Sequence, residues 1–408
     1  MKSGLLGRKL GHSYSPQIHE FLGSYSYDLF EREPDEVGTF VRSGDFTGIN
    51  VTIPYKKDVI PFLDELSLLA QRMGAVNTIV RREDGTLFGH NTDYFGFHSM
   101  VQRSGISVAG KKVLVLGSGG ASNTAVKVLE DIGAKVIIIS RSGKDNYSNL
   151  HLHKDTSVIV NCTPVGMYPN TGVAPLDLKD FPVLEGVLDM VYNPSKTQLL
   201  LDAEDMGLPH ENGLWMLVAQ AKEAAEYFGR KPLDDSLIET VYQKMTAKMQ
   251  NIVLIGMPGC GKSTIASLLA ERLGRRVIDA DQEIVKLAGK TIPEIFEDDG
   301  EEAFRDLETQ VLTELGKQSQ LIISTGGGCV TRDRNYRLLH QNSRIIWLQR
   351  DLEKLPTDGR PLSQSIRLDD MFRLREPLYA AFSDYQIGNN GSCEDTVDQI
   401  LTILEGNQ

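Results

Sequence analysis

Gly256-Met257-Pro258-Gly259-Cys260-Gly261-Lys262-Ser263-Thr264 closes the apolar run Ile252-Val253-Leu254-Ile255 and leads into a helical pattern. The spacing GxxxxGK[ST] between a strand and a helix specifies a phosphate-binding loop. Its backbone N–H groups surround phosphate oxygens, its lysine reaches the β and γ phosphates, and its serine hydroxyl ligates Mg2+. Gly259, Gly261, Lys262, Ser263 and Thr264 are therefore the expected ATP contacts, with Ser263 on the metal. A second glycine loop, Gly117-Ser118-Gly119-Gly120-Ala121, closes Val113-Leu114-Val115-Leu116. Here the glycines permit a tight turn, and the following helix offers its N-terminus to a dinucleotide pyrophosphate. An ordinary strand–helix turn is the alternative. A polypeptide with a redox-cofactor loop and an ATP loop reads as two enzymes joined.

Working outward, the strand Val136–Ile139 that follows the first loop ends at Ser140-Arg141-Ser142. An NAD site places an acidic residue there for the ribose 2′-hydroxyl. Arg141 is instead a cation suited to a 2′-phosphate, flanked by the hydroxyls of Ser140 and Ser142, which points to NADP(H). A solvated arginine at a strand end is the competing reading. Further strands are expected at Ser157–Val160 and Gly186–Met190, with helices over residues 214–228 and 237–249. The alternation specifies an α/β protein. The second α/β unit starts at Asn251 without a Gly/Ser/Pro linker, so a short helical connection joins two modules.

The 408 residues suffice for two or three domains. A net charge of -12 disfavours non-specific nucleic-acid binding and requires that positive charge be gathered locally for anionic ligands. Cys162, Cys260, Cys329 and Cys393 are far apart and form no CxxC pair, so a reducing cytoplasm is expected and no disulfide framework or zinc site. Met1 leads almost directly into Gly4-Leu5-Leu6-Gly7, too short a start for a signal peptide. No apolar run approaches the ~18–20 residues of a membrane span.

Other motifs are more specific. Leu10-Gly11-His12-Ser13-Tyr14-Ser15-Pro16, Asn50-Val51-Thr52-Ile53-Pro54-Tyr55-Lys56, Ala75-Val76-Asn77-Thr78 and Asn91-Thr92-Asp93 precede the first glycine loop. Asn161-Cys162-Thr163-Pro164-Val165-Gly166-Met167 and Asn212-Gly213-Leu214-Trp215-Met216-Leu217-Val218-Ala219-Gln220 follow it. In this order, over residues 3–248, they resemble the shikimate dehydrogenases. The resemblance implies a substrate domain at 1–100 and 213–249 around a Rossmann NADP domain at 101–212. It implies reduction of 3-dehydroshikimate to shikimate. Ketone reduction needs a hydride and a proton donor to the developing alkoxide. Lys56 and Asp93 are the expected catalytic pair, and Lys56 rather than Lys57 matches the motif. Ser13 and Ser15 can bind the substrate carboxylate, and Thr52, Asn77, Asp93 and Gln220 can satisfy its ring hydroxyls. Taken singly, Ser13 or Ser15 could cap a helix before Pro16, and Asn77 could be a turn residue. The likeness further implies that Tyr192 contacts substrate and that Met190 and Gly213 lie near the nicotinamide. Serine at 118, 140 and 142 departs from the usual pattern, and Arg141 does not.

After the phosphate loop come Val277-Ile278-Asp279-Ala280-Asp281, then Asp299-Gly300-Glu301-Glu302-Ala303-Phe304-Arg305-Asp306-Leu307-Glu308. Next are Ser324-Thr325-Gly326-Gly327-Gly328-Cys329, Gly359-Arg360-Pro361-Leu362 and Arg375-Glu376-Pro377-Leu378-Tyr379. This set resembles shikimate kinase, a P-loop NTPase α/β/α domain of the nucleoside monophosphate kinase type, here at 250–408. Phosphoryl transfer is mostly positioning and charge neutralisation. Asp281 is expected to take the proton of the attacking hydroxyl. Asp279 is expected to support Mg2+ through water. Arg305 and Arg375 are expected to grip the shikimate carboxylate, where a planar guanidinium pairs bidentately. Gly327 and Gly328 let backbone approach the ring, and Arg360 is a lid arginine closing on ATP. Glu308, one helical turn after Arg305, orients it. Read alone, Arg305 and Glu308 could be a plain surface ion pair. The adenine-contact segment is not apparent in Gln386-Ile387-Gly388-Asn389-Asn390-Gly391.

The chain is thus expected to be a bifunctional enzyme of aromatic amino acid biosynthesis. Its small-molecule partners are 3-dehydroshikimate and shikimate, its cofactors NADP(H), ATP and Mg2+, and neither nucleic acid nor membrane is a partner. Two alternatives stand beside it. One is a non-catalytic shikimate- or quinate-sensing regulator on the same folds, disfavoured by retention of every chemical residue. The other is an NAD-dependent quinate/shikimate dehydrogenase fused to a kinase, disfavoured by Arg141.

Overall fold

The computed structural model describes residues 2–11, 13–23, 25–355 and 367–404. The chain forms two compact units. The first comprises Met1–Pro164, Ala174–Tyr192 and Asp202–Met245, and the second Val165–Val173, Asn193–Leu201 and Thr246–Gln408.

The first unit holds two sheets. β1 (Lys2–Gly7), β2 (Ser26–Glu31), β3 (Gly48–Val51), β4 (Glu65–Leu66), β5 (Thr78–Arg81) and β6 (Leu87–His90) form a mixed sheet in the order β2-β1-β3-β5-β6-β4. β3 pairs parallel to β1 and antiparallel to β5. β7 (Lys112–Leu116), β8 (Lys135–Ile139), β9 (Val158–Asn161), β10 (Gly186–Asp189) and β11 (His210–Asn212) form a parallel sheet in the order β11-β10-β9-β7-β8. A parallel sheet is covered on both faces, so its strands read as unbroken apolar runs rather than alternating ones. Val113, Leu114, Val115 and Leu116 are accordingly fully buried. The helix after β7 spans Gly120–Ile132. Extended Gly119 caps it, and glycine at a first turn carries no periodic signal.

The helices Asp93–Ser104 and Leu214–Gly229 lie along each other. Gly96 sets their closeness, because a Cβ there would stand 2.7 Å from the Met216 carbonyl oxygen. Phe97, Met100 and Val101 on the first of these helices enter the core of the parallel sheet with Val113, Val128 and Leu188. The N-terminus of the same helix carries Asp93 to the edge of the mixed sheet, where β6 ends.

The second unit is built on β12 (Asn251–Ile255), β13 (Arg276–Asp279), β14 (Leu321–Ser324), β15 (Ser343–Gln349) and β16 (Tyr385–Gly388). All run parallel in the order β13-β14-β12-β15-β16. Chain order reverses around the central β12, and ligands of such sheets bind beyond the carboxyl ends of the strands at that point. The candidate kinase residues that follow strand ends leave at that edge: the loop Gly256–Gly261 after β12, the helix start Ala280–Asp281 after β13 and the loop Thr325–Gly328 after β14. The segment 193–201 belongs to this unit, with Lys196 N donating to Gln341 O at 2.8 Å and Ser195 N to Asn342 Oδ1 at 3.1 Å. No helix among the described residues is long and apolar enough to cross a membrane.

Candidate active sites

In the first unit a cleft of about 460 Å3 is lined by Ser13, Ser15, Thr52, Lys56, Asn77, Asp93, Tyr192 and Gln220. Every dehydrogenase residue expected to touch substrate is therefore in one place. Ala121, Met190 and Gly213 of the expected cofactor set line it too. Lys56 Nζ donates to Asp93 Oδ2 at 2.5 Å although the residues are 37 positions apart. Lys57 is exposed, whereas Lys56 is half-buried and points inward. A fixed scaffold of neutral groups surrounds the pair. Asn77 Nδ2 donates to Asp93 Oδ1 at 2.9 Å and to Thr92 Oγ1 at 3.0 Å, while Asn77 Oδ1 accepts from Thr92 N at 2.7 Å. Gln220 joins through Thr92 Oγ1, 3.3 Å from Gln220 Oε1. Asn77 is a buried member of this network and not an isolated turn residue.

At the other end of the cleft, Ser13 Oγ accepts from Ser15 N at 3.2 Å just before the helix Ser15–Leu22. The two hydroxyls stand beside Tyr14, whose ring meets Tyr192 edge-on at 6.2 Å. Burial, then the neighbouring Tyr14 hydroxyl, pushes the Tyr192 phenol above its usual range, so Tyr192 stays a neutral donor. Lys9, Tyr14, Asn50, Met216 and Leu217 also line the cleft and were not assigned from sequence. Asn50 is held by Tyr27 OH at 2.8 Å and donates to Thr78 Oγ1 at 3.2 Å. Its place inside the Asn50–Lys56 motif was the available signal.

The dinucleotide loop has the form its glycines require. Gly117 takes a left-handed φ of 105°, and a Cβ there would meet Thr163 Cγ2 at 3.2 Å. Ser118, Gly119, Gly120 and Ala121 are exposed, and a Cβ on Gly119 or Gly120 would face open space. The helix N-terminus is thus open to an anion, which fits a pyrophosphate. Arg141 and Ser142 are exposed in the turn after β8, with Ser140 half-buried between Ile139 and Arg141. Gly213 has a tertiary reason: a Cβ would come within 2.6 Å of the Met190 carbonyl carbon.

In the second unit a cavity of about 680 Å3 is lined by Gly259, Gly261, Lys262, Ser263, Thr264, Asp279, Asp281, Arg305, Gly327, Gly328 and Arg375. These are all the expected kinase residues except Arg360, which lies outside the described residues. Lys262 is buried, with Nζ donating to Gly256 O at 2.9 Å and Met257 O at 3.0 Å. Ser263 Oγ donates to Asp279 Oδ2 at 3.0 Å, so the two groups expected on Mg2+ adjoin at the helix start. Mg2+ commonly takes one or two protein oxygens and completes its shell with phosphates and water, which suits this pair. Asp279 also caps the helix Ala280–Ala288, accepting from Asp281 N at 3.1 Å and Gln282 N at 3.3 Å. That cap sets where Asp281 enters the cavity.

Arg305 and Glu308 form a buried pair, Nη1 to Oε2 at 2.8 Å, with side chains 4% and 1% exposed. They are not a surface ion pair. Burial opposes both charges. Glu308 outweighs it for Arg305, whose guanidinium is held above its usual range, while the Glu308 carboxyl is pushed up by burial despite Arg305. Glu308 Oε1 lies buried without a hydrogen-bond partner, 2.9 Å from where a Gly326 Cβ would be. Gly328 is dictated by the same arginine: a Cβ would overlap the guanidinium, 2.5 Å from Cζ. Gly327 lies against Pro258, and its carbonyl accepts from Arg375 Nη1 at 3.2 Å and from Tyr379 OH. Arg350 and Ser324 line the cavity without having been assigned from sequence. Asn389 Nδ2, which donates to Cys260 O at 2.7 Å, braces the phosphate loop from β16. Position just past a strand end was the signal for Arg350 and Asn389.

The shikimate dehydrogenase (NADP(+)) of Clostridium perfringens (strain 13 / Type A) is 37% identical over 267 residues, spanning 60% of this chain and 98% of its own. The chain belongs to the shikimate dehydrogenase family. A model of the shikimate dehydrogenase substrate binding domain matches residues 5–79. A model of shikimate kinase matches residues 258–405, so a shikimate kinase domain follows the dehydrogenase part. Among solved structures, shikimate dehydrogenase 1 of Peptoclostridium difficile is 36% identical with a TM-score of 0.54, over 60% of this chain and 97% of that one. Shikimate 5-dehydrogenase of Thermus thermophilus, in complex with NADP(H) and shikimate, is 31% identical with a TM-score of 0.54, over 60% and 99%. A chorismate mutase/shikimate 5-dehydrogenase fusion from Clostridium acetobutylicum is 34% identical with a TM-score of 0.57, over 60% and 96%.

Proposed function

We propose that this chain reduces 3-dehydroshikimate to shikimate with NADPH and phosphorylates shikimate with MgATP to shikimate 3-phosphate, two steps toward chorismate and the aromatic amino acids. The observation that carries the reading is convergence. Residues scattered from position 13 to 220 line one cleft around the Lys56–Asp93 pair, and residues from 259 to 375 line one cavity around Lys262.

In the first cleft, bound NADPH supplies the hydride to the carbonyl carbon. Lys56 Nζ donates a proton to the carbonyl oxygen as negative charge develops there, and the ketone becomes the alcohol. Asp93 holds Lys56 through Oδ2 and, with Oδ1 fixed by Asn77, keeps the ammonium aimed. Ser13, Ser15 and Tyr192 bind the substrate carboxylate end, while Thr52, Asn77 and Gln220 read ring hydroxyls. Gly117–Ala121 cradle the pyrophosphate, Met190 and Gly213 flank the nicotinamide, and Ser140, Arg141 and Ser142 select the 2′-phosphate. Arg141 favours this over an NAD-dependent quinate dehydrogenase.

In the second cavity, bound MgATP supplies the phosphoryl group. Asp281 accepts the proton of the shikimate 3-hydroxyl as its oxygen bonds to the γ-phosphorus, and ADP departs. Lys262 and the loop amides of Gly259 and Gly261 neutralise phosphate charge, Thr264 supports ATP, as the resemblance also implies for Arg360, and Ser263 and Asp279 serve Mg2+. Arg305 and Arg375 grip the carboxylate over Gly327 and Gly328. We assign residues 1–100 and 213–249 to the dehydrogenase substrate domain, 101–212 to its NADP domain and 250–408 to the kinase, although the segments Val165–Val173 and Asn193–Leu201 of the NADP stretch cluster with the second unit. Four free cysteines suit the reducing cytoplasm. The test is a coupled assay of the purified chain with 3-dehydroshikimate, NADPH, ATP and Mg2+. Formation of shikimate 3-phosphate is expected, with NADPH preferred to NADH and quinate poorly used. Failure of either half-reaction overturns that half of the reading.

A further inference from the structure

We propose that Arg350 is a phosphate-binding residue of the kinase site, contacting the polyphosphate of the nucleotide beside the loop Gly256–Gly261. The inference rests on the reading of that loop as the ATP site. Arg350 is the first residue past β15, the strand adjoining β12, so it emerges at the carboxyl edge next to the phosphate loop. It lines the same cavity as Gly259, Gly261, Lys262, Ser263 and Thr264. Its Nη1 lies 3.9 Å from where a Cβ on Gly261 would stand, and left-handed Gly261, at φ 101°, has no such Cβ to separate them.

The other cations of the cavity are engaged. Arg305 pairs with Glu308 and Glu301, Arg375 donates to Gly327 O, and Lys262 donates to two loop carbonyls. Arg350 differs. Its Nε is buried with no hydrogen-bond partner, and among the described residues its guanidinium has neither an ion pair nor a hydrogen bond to the protein. A guanidinium with a dehydrated Nε beside a loop of phosphate-binding amides is matched by an anion with oxygens at fork spacing, which a di- or triphosphate provides. Charge balance agrees. The cavity carries Asp279 and Asp281 and receives a polyanion besides, so Arg350 adds a cation to the charge of Lys262 and of the Mg2+ expected at Ser263 and Asp279.

The test compares the full-length protein with its Arg350→Gln and Arg350→Lys variants, titrated with ADP, inorganic tripolyphosphate, adenosine and shikimate. Loss of one charge-assisted contact is expected to weaken ADP and tripolyphosphate about tenfold in Arg350→Gln. Arg350→Lys recovers part of that loss. Adenosine and shikimate affinities stay as in the wild type, as does NADPH binding, which reports that the chain is folded. Unchanged ADP affinity overturns the proposal. So does a loss confined to ADP and adenosine with tripolyphosphate unaffected, which marks a base contact. Lys262→Ala separates the two readings: if it too binds ADP normally, the loop is not the nucleotide site and the parent assignment fails with the proposal.

Discussion

In the first unit Lys56 and Asp93 stand partly open to solvent among neutral amides and hydroxyls, whereas in the second unit Arg305 and Glu308 are packed almost entirely out of water. If both sites handle shikimate, they recognise one carboxylate by different means. On the proposed reading the dehydrogenase cleft would offer it hydroxyls from Ser13 and Ser15 and keep the Lys56–Asp93 pair for the carbonyl. The kinase cavity would offer it the guanidinium groups of Arg305 and Arg375. A neutral network can be set by short hydrogen bonds from neighbouring strands, as Asn77 does with Thr92. A buried arginine needs a buried counter-charge and a chain with no Cβ in the way, hence Glu308 and Gly328. On that reading the Lys56–Asp93 pair serves proton transfer, whereas the buried Arg305–Glu308 pair serves positioning.

The comparison breaks most sharply at the reacting groups. Lys56→Ala is expected to lower dehydrogenase turnover by roughly 10²–10⁴-fold, the usual weight of a positioned proton donor, with kinase turnover unchanged. Lys262→Ala or Asp281→Asn is expected to do the reverse. Steady-state assays of both activities on each variant check this, and loss of both activities from one substitution contradicts separate sites.

A smaller effect separates neutral from charged recognition. Gly328→Ala places a methyl on the Arg305 guanidinium. It is expected to raise the kinase KM for shikimate by about 10-fold or more, the scale of a displaced charge-assisted contact, while the KM for 3-dehydroshikimate in the dehydrogenase assay does not move. Equal KM values in variant and wild type would remove Arg305 from carboxylate binding. At the cofactor, Arg141→Gln is expected to raise the KM for NADPH by roughly tenfold, one charge-assisted hydrogen bond, and to leave that for NADH nearly unaltered. Equal rises for both cofactors would detach Arg141 from the 2′-phosphate.

The smallest effect is in stability. His19 is buried, stacked on Tyr27 at 3.9 Å and hydrogen-bonded to Tyr25 OH at 2.6 Å. Desolvation lowers its pKa from 6.5 to about 3. Between those values the unfolded chain binds a proton that the folded chain refuses, so stability falls as pH drops from about 6.5 towards 3. The slope from this one group is at most ~1.4 kcal/mol per pH unit. His19→Phe keeps the stack and is expected to flatten that part of the pH–stability curve in chemical denaturation. An unaltered slope would place the proton elsewhere.

Sequence by itself determined a good deal. Both glycine loops, the strands that feed them and the helices expected at 214–228 and 237–249, found at Leu214–Gly229 and Ser236–Met249, follow from apolar periodicity and from glycine, lysine and serine at fixed spacing, since local backbone geometry sets these features. The motif order identified Lys56 over Lys57 and paired it with Asp93 across 37 positions. What sequence left open is what depends on three-dimensional closeness. Arg350 joins the kinase cavity, and Asn389 braces its loop through Cys260 O, because strand order brings their segments to one edge. Glu308 was expected beside Arg305, but whether the pair lay on the surface or inside was decided by how the helix Gly300–Gly316 packs among the helices Ala280–Ala288, Ile292–Asp298 and Arg334–His340. The glycines at 96, 213 and 328 look alike in sequence, and each is required by a different approaching group: a helix carbonyl, a strand-end carbonyl and a guanidinium. Spacing along a chain fixes which backbone shapes are allowed, whereas only packing fixes which groups from distant segments exclude water together.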